Sequence, residues 1–356
     1  MTLNRIDGVS PDAPQFAGYG PLPIGVKTLH LINPAQLDLS LPTMPRHDRA
    51  LTVEVWYPAD PAPATPYDTM LRDGVTPIQL QGRAARDAKA LAGEYPLVIL
   101  SHGYPGDQLL MVHLGETLAS WGYIVASIAH RDSTYANKGA FISTLVNRPL
   151  DTRFVADQLG ATAYAIIGYS MGGYGALVAA GAGVRPDAFD DLPYGQAHLP
   201  TAPQVDPRLK AIIPIGPWGG KHGVWDAQGL AGGQVASFIM AGSADDVSGY
   251  DDGMVFIHDH TGGHLLTFEG AGHNAAAPYP APYQAFTPSP YLDFLPAEHY
   301  VDPIWDTIRM NSIAQHFANV FLGLHLKGQA QMAAYLTPDF KGFSAPHGLQ
   351  LRSKVR

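Results

Sequence analysis

The first regular pattern along the chain is an alternation of apolar and polar residues in two segments, 26–32 (VKTLHLI) and 51–58 (LTVEVWYP). A period of two residues is typical of strands with one buried face, so the segments predict an antiparallel start to a sheet. Residues 59–95 follow and are rich in proline, alanine and charged side chains. We interpret this stretch as an insertion that contains one short helix.

Continuous apolar runs replace the alternation from residue 97 onwards, which is typical of parallel strands buried on both faces. The predicted strands are 97–106, 123–130, 163–170, 210–216, 235–242 and 264–270, the last of these being the final strand. The predicted helices are 109–121, 150–160, 173–183 and 303–327. Strands that alternate with helices predict an α/β fold with a mostly parallel sheet. Without repeats or a clear linker, we expect a single domain over residues 1–356.

Composition narrows the classes of function. A hydrophobic content of 46% supports a sizeable core. The net charge of −9 argues against nucleic acid or an anionic membrane surface as a partner. No apolar run approaches the roughly 18–20 residues of a membrane span, and no signal peptide is visible at the start, so a cytoplasmic location is expected, with a secreted mature form left open. Because the chain has no cysteine, thiolate metal sites and a cysteine nucleophile are excluded.

A serine surrounded by glycines lies where a predicted strand gives way to a predicted helix. The stretch 166–173 (IIGYSMGG) has the pattern G-x-S-x-G, with Ser170 at its centre. A strand, this turn and a helix of small residues form the context of a nucleophile elbow. The accidental match in a glycine-rich chain is disfavoured by that context, so Ser170 is predicted to be the nucleophile.

A serine needs a base, and the base needs an acid to orient it. His273 follows the predicted strand 264–270 on a glycine-flanked loop, and is the expected base. Asp245 follows the strand 235–242 and is the preferred acid, with Asp246 as the alternative. Either aspartate could instead cap a following helix.

Acyl transfer also requires donors for a developing oxyanion. The backbone N–H of Met171 is one candidate, and the N–H of Tyr104, in the loop 101–106 (SHGYPG), is the other. Gly103 is expected to let this loop approach the substrate.

The motifs SHGYPG, GYSMGG, GSADD and GAGHN, in this order, resemble those of the α/β-hydrolases. Within that fold the chain is similar to the dienelactone-hydrolase-like group. The stretches 51–59 (LTVEVWYPA), 101–104 (SHGY), 129–133 (AHRDS) and 153–159 (RFVADQL) also make it similar, over roughly residues 20–275, to the plasma-type platelet-activating factor acetylhydrolases. Tyr104 and Met171 are similar to features of cutinase-like polyester hydrolases. The resemblance implies a central sheet flanked by helices, no large cap domain and no cofactor. The chain departs from these groups in having no cysteine nucleophile and no acid in the stretch 214–220.

Three further segments bear on the pocket and on metal binding. The stretch 278–302 is rich in proline and aromatic residues and is expected to line the active site, with Tyr279 and, from another loop, Trp218 as substrate-binding residues. Residues 184–208 are expected to form a short cap-like loop. In the cluster 258–264 (HDHTGGH), a solvated turn is favoured over a zinc site, so no metal is expected.

The sequence therefore predicts a serine carboxylic-ester hydrolase that acts on an apolar or aromatic small-molecule ester through an acyl-enzyme. A cofactor-free perhydrolase and a non-catalytic binding protein of the same fold are the alternatives.

Overall fold

The computed structural model describes residues 4–138, 140–233, 235–344 and 347–354. The strands are β1 (Asn4–Arg5), β2 (Ile24–Leu37), β3 (Arg46–Pro58), β4 (Tyr67–Met70), β5 (Pro77–Gln81), β6 (Ala85–Arg86), β7 (Leu97–Ser101), β8 (Ile124–Ala129), β9 (Tyr164–Tyr169), β10 (Leu209–Ile215), β11 (Ala236–Gly242), β12 (Gly263–Phe268) and β13 (Leu349–Lys354). The α-helices are α1 (Val112–Ser120), α2 (Phe141–Gln158), α3 (Met171–Ala179), α4 (Ala227–Ala231), α5 (Phe256–Thr261) and α6 (Thr307–Lys327).

The larger sheet has ten strands in the order β13-β12-β11-β10-β9-β7-β8-β3-β2-β6. Its central part, from β12 to β8, is parallel. The pairs β2–β3, β3–β8 and β12–β13 are antiparallel. A smaller sheet contains β1, β5 and β4. The predicted antiparallel start and the predicted parallel core of the sheet are both confirmed.

Apolar side chains of the central strands are shared between two hydrophobic clusters, one on each face of the sheet. In β7, Val98 and Leu100 belong to the cluster that contains residues of α1 and α6. Leu97 and Ile99 belong to the cluster that contains residues of α2, α3 and α5. Successive side chains of a strand point to opposite faces, so an unbroken apolar run is required to fill both layers.

The parallel strands end at the same edge of the sheet, and this edge positions the site. The loops after β7, β9, β11 and β12 begin there, and they carry residues 102–106, Ser170, Asp245 and His273. None of the helices in the described part of the chain combines the length and the apolar character that crossing a bilayer requires.

Several sequence predictions are corrected by the structure. The insertion 59–95 contains the short strands β4, β5 and β6, and the helix expected there is wrong. Helix α2 begins at Phe141 and includes Pro149, although a proline favours a helix start near position 150. The sheet ends with β13, which was not predicted. Residues 256–261 are the helix α5, with His258 buried, so the expected solvated turn is also wrong.

Candidate active site

The nucleophile candidate Ser170 lies in the sharp turn between β9 and α3. Its backbone has φ 52° and ψ −112°, a conformation that side chains rarely adopt and that costs about 1–3 kcal/mol. Hydrogen bonds fix this backbone on each side: the Ser170 N–H donates to the Ile215 carbonyl at 2.8 Å, and the Ser170 carbonyl accepts from the N–H groups of Trp218 and Tyr174, both at 3.0 Å. The strained turn is thus fastened to β10 and to the first turn of α3.

The glycines around Ser170 are required by close backbone approaches. A Cβ on Gly168 would lie 2.1 Å from the Gly172 carbonyl oxygen, and a Cβ on Gly172 would lie 1.9 Å from the Ser101 carbonyl oxygen. A Cβ on Gly173 would lie 2.8 Å from the Pro217 Cα. The elbow therefore packs its backbone directly against itself, against the end of β7 and against the loop after β10.

Three side chains from different loops meet at this turn. The Ser170 Oγ lies 3.0 Å from the His273 Nε2, and the His273 Nδ1 lies 2.8 Å from the Asp245 Oδ2. The Asp245 Oδ1 accepts from the N–H groups of Val247 at 3.0 Å and Ser248 at 2.8 Å. Asp246, the alternative acid, is exposed, and its carbonyl accepts from the Lys221 Nζ. The structure therefore brings Asp245, and not Asp246, to the histidine.

The loop that carries His273 is held by a ring contact with Tyr169 and by hydrogen bonds of Asn274. The His273 ring packs on Tyr169, with 5.2 Å between ring centroids. The next residue, Asn274, accepts from the Tyr169 hydroxyl at 3.1 Å and donates to the carbonyls of Glu298 at 2.6 Å and Val301 at 2.9 Å. The segment after the histidine thus folds back and fixes the position of the imidazole.

The predicted oxyanion donors flank Ser170. Met171 is the first residue of α3, so its N–H precedes the first intrahelical bond. Among the residues that the structure describes, neither the Met171 N–H nor the Tyr104 N–H donates to a protein acceptor. A Cβ on Gly103 would lie only 3.6 Å from the Ser170 Cβ, which shows how closely this loop approaches the serine. The two N–H groups remain available to a substrate oxygen.

A buried arginine on α2 supports the loop after β7. The Arg148 guanidinium donates to the carbonyls of His102 and Gly103, the latter at 2.9 Å, and to the hydroxyl of Ser133 at 2.7 Å. It also donates to the Ser101 Oγ at 3.2 Å, which contacts the His130 Nε2 at 2.9 Å. Burial lowers the pKa of Arg148 to about 9 and that of His130 to about 4. At neutral pH the arginine is therefore a cation and the histidine is neutral.

Two buried aspartates, Asp132 and Asp151, lie near Arg148 and Arg49 and balance the charges of the two arginines. The His130 Nδ1 lies 3.0 Å from the Asp151 Oδ2, and Arg49 donates to both oxygens of Asp151 at 2.7 and 2.8 Å. Arg49 also lies 2.7 Å from the Asp132 Oδ2. Desolvation raises the pKa of the Asp151 carboxyl, but the Arg49 cation outweighs it and the net pKa is lowered. We call Arg49, Asp132, Arg148 and Asp151 the buried quartet.

A cavity of about 410 Å³ opens beside Ser170 and His273. One wall is a row of edge-to-face rings, in which Phe141 lies 5.7 Å from Tyr104 and 5.5 Å from Trp218 between centroids. The predicted pocket residues Gly103 and Trp218 are both in the lining, together with Met171.

Two predicted parts of the pocket, Tyr279 and the segment 184–208, do not line the cavity. Tyr279 is completely buried, with its hydroxyl 3.4 Å from that of Tyr300, so its predicted contact with substrate is wrong. Its segment, 278–302, instead reaches the cavity through Phe294, Glu298 and His299. Residues 184–208, expected to be cap-like, contribute nothing to the cavity lining and include Phe189 and Leu199 of the core.

Comparison with known proteins places this site in a family context. The family described as platelet-activating factor acetylhydrolase, isoform II, matches residues 68–144. Cutinase 1 of Thermobifida cellulosilytica is 31% identical over 130 residues, which are 35% of this chain and 40% of that protein. A cutinase of Thermobifida fusca (strain YX) is also 31% identical over 130 residues, 35% of each chain. The chain thus spans about 40% or less of the length of these curated relatives.

The ferulic acid esterase from Streptomyces cinnamoneus has a solved structure that matches 98% of this chain and 99% of its own, with a TM-score of 0.68 and 20% sequence identity. The chain has the α/β-hydrolase fold. The predicted resemblance to serine esterases of this fold, with cutinase-like features, is confirmed.

The sequence patterns did not predict several residues of the cavity wall. Arg72 comes from the insertion, Phe141 begins α2, and His299 lies in the segment after the histidine. None of them belongs to a motif. They reach the serine only because segments that are far apart in the sequence pack next to one another in the fold.

Proposed function

We propose that the chain is a carboxylic-ester hydrolase that uses Ser170 as its nucleophile. The observation that carries the proposal is the unbroken chain of contacts from the Ser170 Oγ through His273 to Asp245, at 3.0 and 2.8 Å. A serine, its base and the acid that orients the base are the minimal machinery for nucleophilic acyl transfer. The similarity to cutinases and to a ferulic acid esterase supports the same assignment.

In the proposed mechanism, His273 removes the Ser170 proton as the oxygen attacks the ester carbonyl. The Met171 and Tyr104 N–H groups donate to the carbonyl oxygen as it becomes negative, which stabilises the transition state more than the bound ester. Asp245 fixes the imidazole tautomer and stabilises its protonated form. His273 then protonates the departing alcohol, and water releases the acid from the acyl-enzyme by the same steps in reverse.

The substrate class follows from the cavity wall. The ring edges and faces of Tyr104, Phe141 and Trp218 offer an apolar surface of the kind that binds flat or hydrophobic groups. A volume of about 410 Å³ suits a small molecule with one ring or a short acyl chain. We therefore propose an apolar or aromatic ester as the substrate.

The test is hydrolysis of p-nitrophenyl esters, from acetate to long acyl chains and benzoate, by the wild type and Ser170→Ala. We expect turnover that the substitution abolishes, and labelling of Ser170 by a fluorophosphonate in the wild type. The control is Ser40→Ala, at an exposed serine outside the cavity, which should keep the full rate. Unchanged turnover in Ser170→Ala would refute the proposal, and so would a complete lack of turnover and labelling in the wild type.

A further inference from the structure

Arg72 is a cation in the cavity wall whose charge is not paired by any carboxylate of the described residues. Arg72 lines the same cavity as Ser170 and His273. Among the described residues, no carboxylate lies within ion-pair distance of Arg72, and its buried Nη1 has no hydrogen-bond partner. The buried arginines Arg49 and Arg148, by contrast, each donate several hydrogen bonds to the protein. Partly burying a guanidinium without acceptors is costly, which indicates that its acceptor comes from outside the chain.

Two aromatic rings lie beside the guanidinium of Arg72 and accept none of its hydrogen bonds. Its guanidinium carbon lies 5.8 Å from the ring centroid of Tyr135 and 5.9 Å from that of Phe294. Rings contact the face of a guanidinium, whereas its N–H donors point outwards in the plane. The two rings therefore stabilise the cation and leave its N–H donors available to an acceptor in the cavity.

The charged neighbours do not neutralise this cation. The adjacent Asp73 accepts from the Thr76 hydroxyl at 2.6 Å and from the Ser289 hydroxyl at 2.8 Å. Glu298, which lines the cavity, is exposed and accepts from the Leu295 N–H at 3.1 Å. Burial and the nearby Arg72 hold the pKa of His299 well below its usual value, so this histidine adds no positive charge at neutral pH.

We propose that Arg72 binds a carboxylate of the ester substrate, so that the substrate is an ester with a free carboxylate as well as the bond that is cleaved. The planar guanidinium matches the two oxygens of a carboxylate, and the neighbouring rings suit an aromatic skeleton. This inference rests on the proposed esterase function. The carboxylate belongs either to the acid part or to the alcohol part of the ester.

Matched pairs of substrates distinguish these two sources. For the acid part, monomethyl terephthalate is compared with methyl 4-carbamoylbenzoate. For the alcohol part, 4-acetoxybenzoate is compared with 4-acetoxybenzamide. Each pair differs by a carboxylate against a carboxamide of nearly the same shape. We expect kcat/KM to be higher for the carboxylate in one pair by about tenfold to a hundredfold, the range of a charge-assisted hydrogen-bonded contact.

Substitutions assign the preference to Arg72. Arg72→Met keeps an apolar stem and should abolish the preference, so that this variant has equal kcat/KM values for the carboxylate and the carboxamide of each pair. Arg72→Lys keeps the charge without the fork, and should retain part of the preference. The control is Arg185→Met, at a half-exposed arginine outside the cavity that pairs with Asp187, and its preference should equal that of the wild type.

A binding measurement separates failure of this inference from failure of the proposed function. Terephthalate and benzoate should bind the wild type in calorimetry and bind Arg72→Met at least tenfold more weakly. Carboxamide esters that are cleaved with no carboxylate preference in either pair would overturn the role of Arg72. If neither pair is cleaved, the esterase proposal is in question, and equal binding by wild type and Arg72→Met would overturn the inference as well.

Discussion

At the scale of single residues, the site depends on the positions where the chain carries no side chain. Gly172 lies against the Ser101 carbonyl, and Ser170 has a positive φ, with its N–H and its carbonyl hydrogen-bonded to the neighbouring backbone. Because the backbone of the elbow contacts the end of β7 directly, the serine and the loop with the Tyr104 N–H are positioned by the same contact. Any added atom there moves both.

We expect Gly172→Ala to lower the free energy of unfolding by about 3 kcal/mol or more, since its methyl group would lie 1.9 Å from a backbone oxygen. Urea unfolding followed by tryptophan fluorescence measures the change. Gly18→Ala is the matched control, because a Cβ there meets no atom within 4 Å. Equal stability of the two variants would show that the elbow relaxes easily.

Substitution of the two adjacent aspartates should have very different effects on kcat. Asp245→Asn is expected to lower kcat by roughly 10³- to 10⁴-fold, because the amide no longer favours the imidazole tautomer that accepts the serine proton. Asp246→Asn changes an exposed side chain and should leave kcat within about twofold. Steady-state kinetics on a p-nitrophenyl ester, with circular dichroism to verify folding, tests both. Similar losses in the two variants would contradict the assignment of the acid.

Residues fixed by a local pattern were predictable, and residues fixed by tertiary placement were not. Ser170 and His273 follow buried strands within short glycine-rich motifs, so the sequence indicates both their roles and their edge of the sheet. Arg72 follows a short strand of an insertion, and nothing in its neighbourhood marks it. Tyr279 was misplaced because an aromatic residue beside a histidine loop is equally suited to the core.

At the scale of elements, helix α2 positions the loop that follows β7. Arg148 projects from this helix and donates to the His102 and Gly103 carbonyls, directly before the Tyr104 N–H. The direction of that N–H therefore depends on how α2 packs. Arg148 is in this sense a positioning residue, since it acts on the substrate only through the loop.

We expect Arg148→Met to lower kcat by about tenfold to a hundredfold with a smaller change in KM, because the displaced donor matters most in the transition state. The buried carbonyl and hydroxyl groups that lose the Arg148 donors should also cost about 1–3 kcal/mol of stability. Steady-state kinetics and urea unfolding measure the two effects. Arg153→Met on the same helix is the control, since its half-exposed side chain lies 3.6 Å from Asp206 and should contribute under about 1 kcal/mol. A loss confined to KM would refute the positioning role.

The elements missed by the sequence are those without a regular apolar period. The strands β4, β5 and β6 are only 2–5 residues long. β13 buries just Leu349 and Leu351 at the sheet edge. The first half of α2 was missed because Pro149 breaks the expected helical pattern, although the helix continues through it. The buried parallel strands, whose apolar runs fill two layers, were predicted within about two residues of their observed bounds, except that the strand predicted over 97–106 ends at Ser101.

At the scale of the whole molecule, buried neutral histidines make stability depend on pH. His113, on α1, is almost completely buried, and neither ring nitrogen has a partner among the described residues. Burial lowers the pKa of His113 to about 3, and that of His316 on α6 to about 3. In the unfolded chain these rings take up a proton below about pH 6.5. The unfolded state then binds more protons than the folded state, so acid favours unfolding.

We expect the free energy of unfolding to fall as the pH drops from 6.5 towards 3, with His113 contributing about 1.4 kcal/mol per pH unit. His113→Leu should therefore show a shallower decline, which urea unfolding at pH 7, 5.5 and 4.5 will measure. His30→Leu, at an exposed position on β2, should keep the slope of the wild type. If the free energy of unfolding falls equally steeply with pH in all three proteins, protonation of groups other than His113 causes the acid sensitivity.

The buried quartet has a consequence for how the sequence can change over evolutionary time. Its two arginines and two aspartates are closed to water and carry charges that cancel. Replacing one of these residues leaves an unbalanced charge in the interior. Replacing an arginine and an aspartate together with apolar residues of similar volume leaves no unbalanced charge. Lineages that depart from this arrangement are therefore expected to do so in compensating steps, with α2, β3 and the loop after β8 changing in concert.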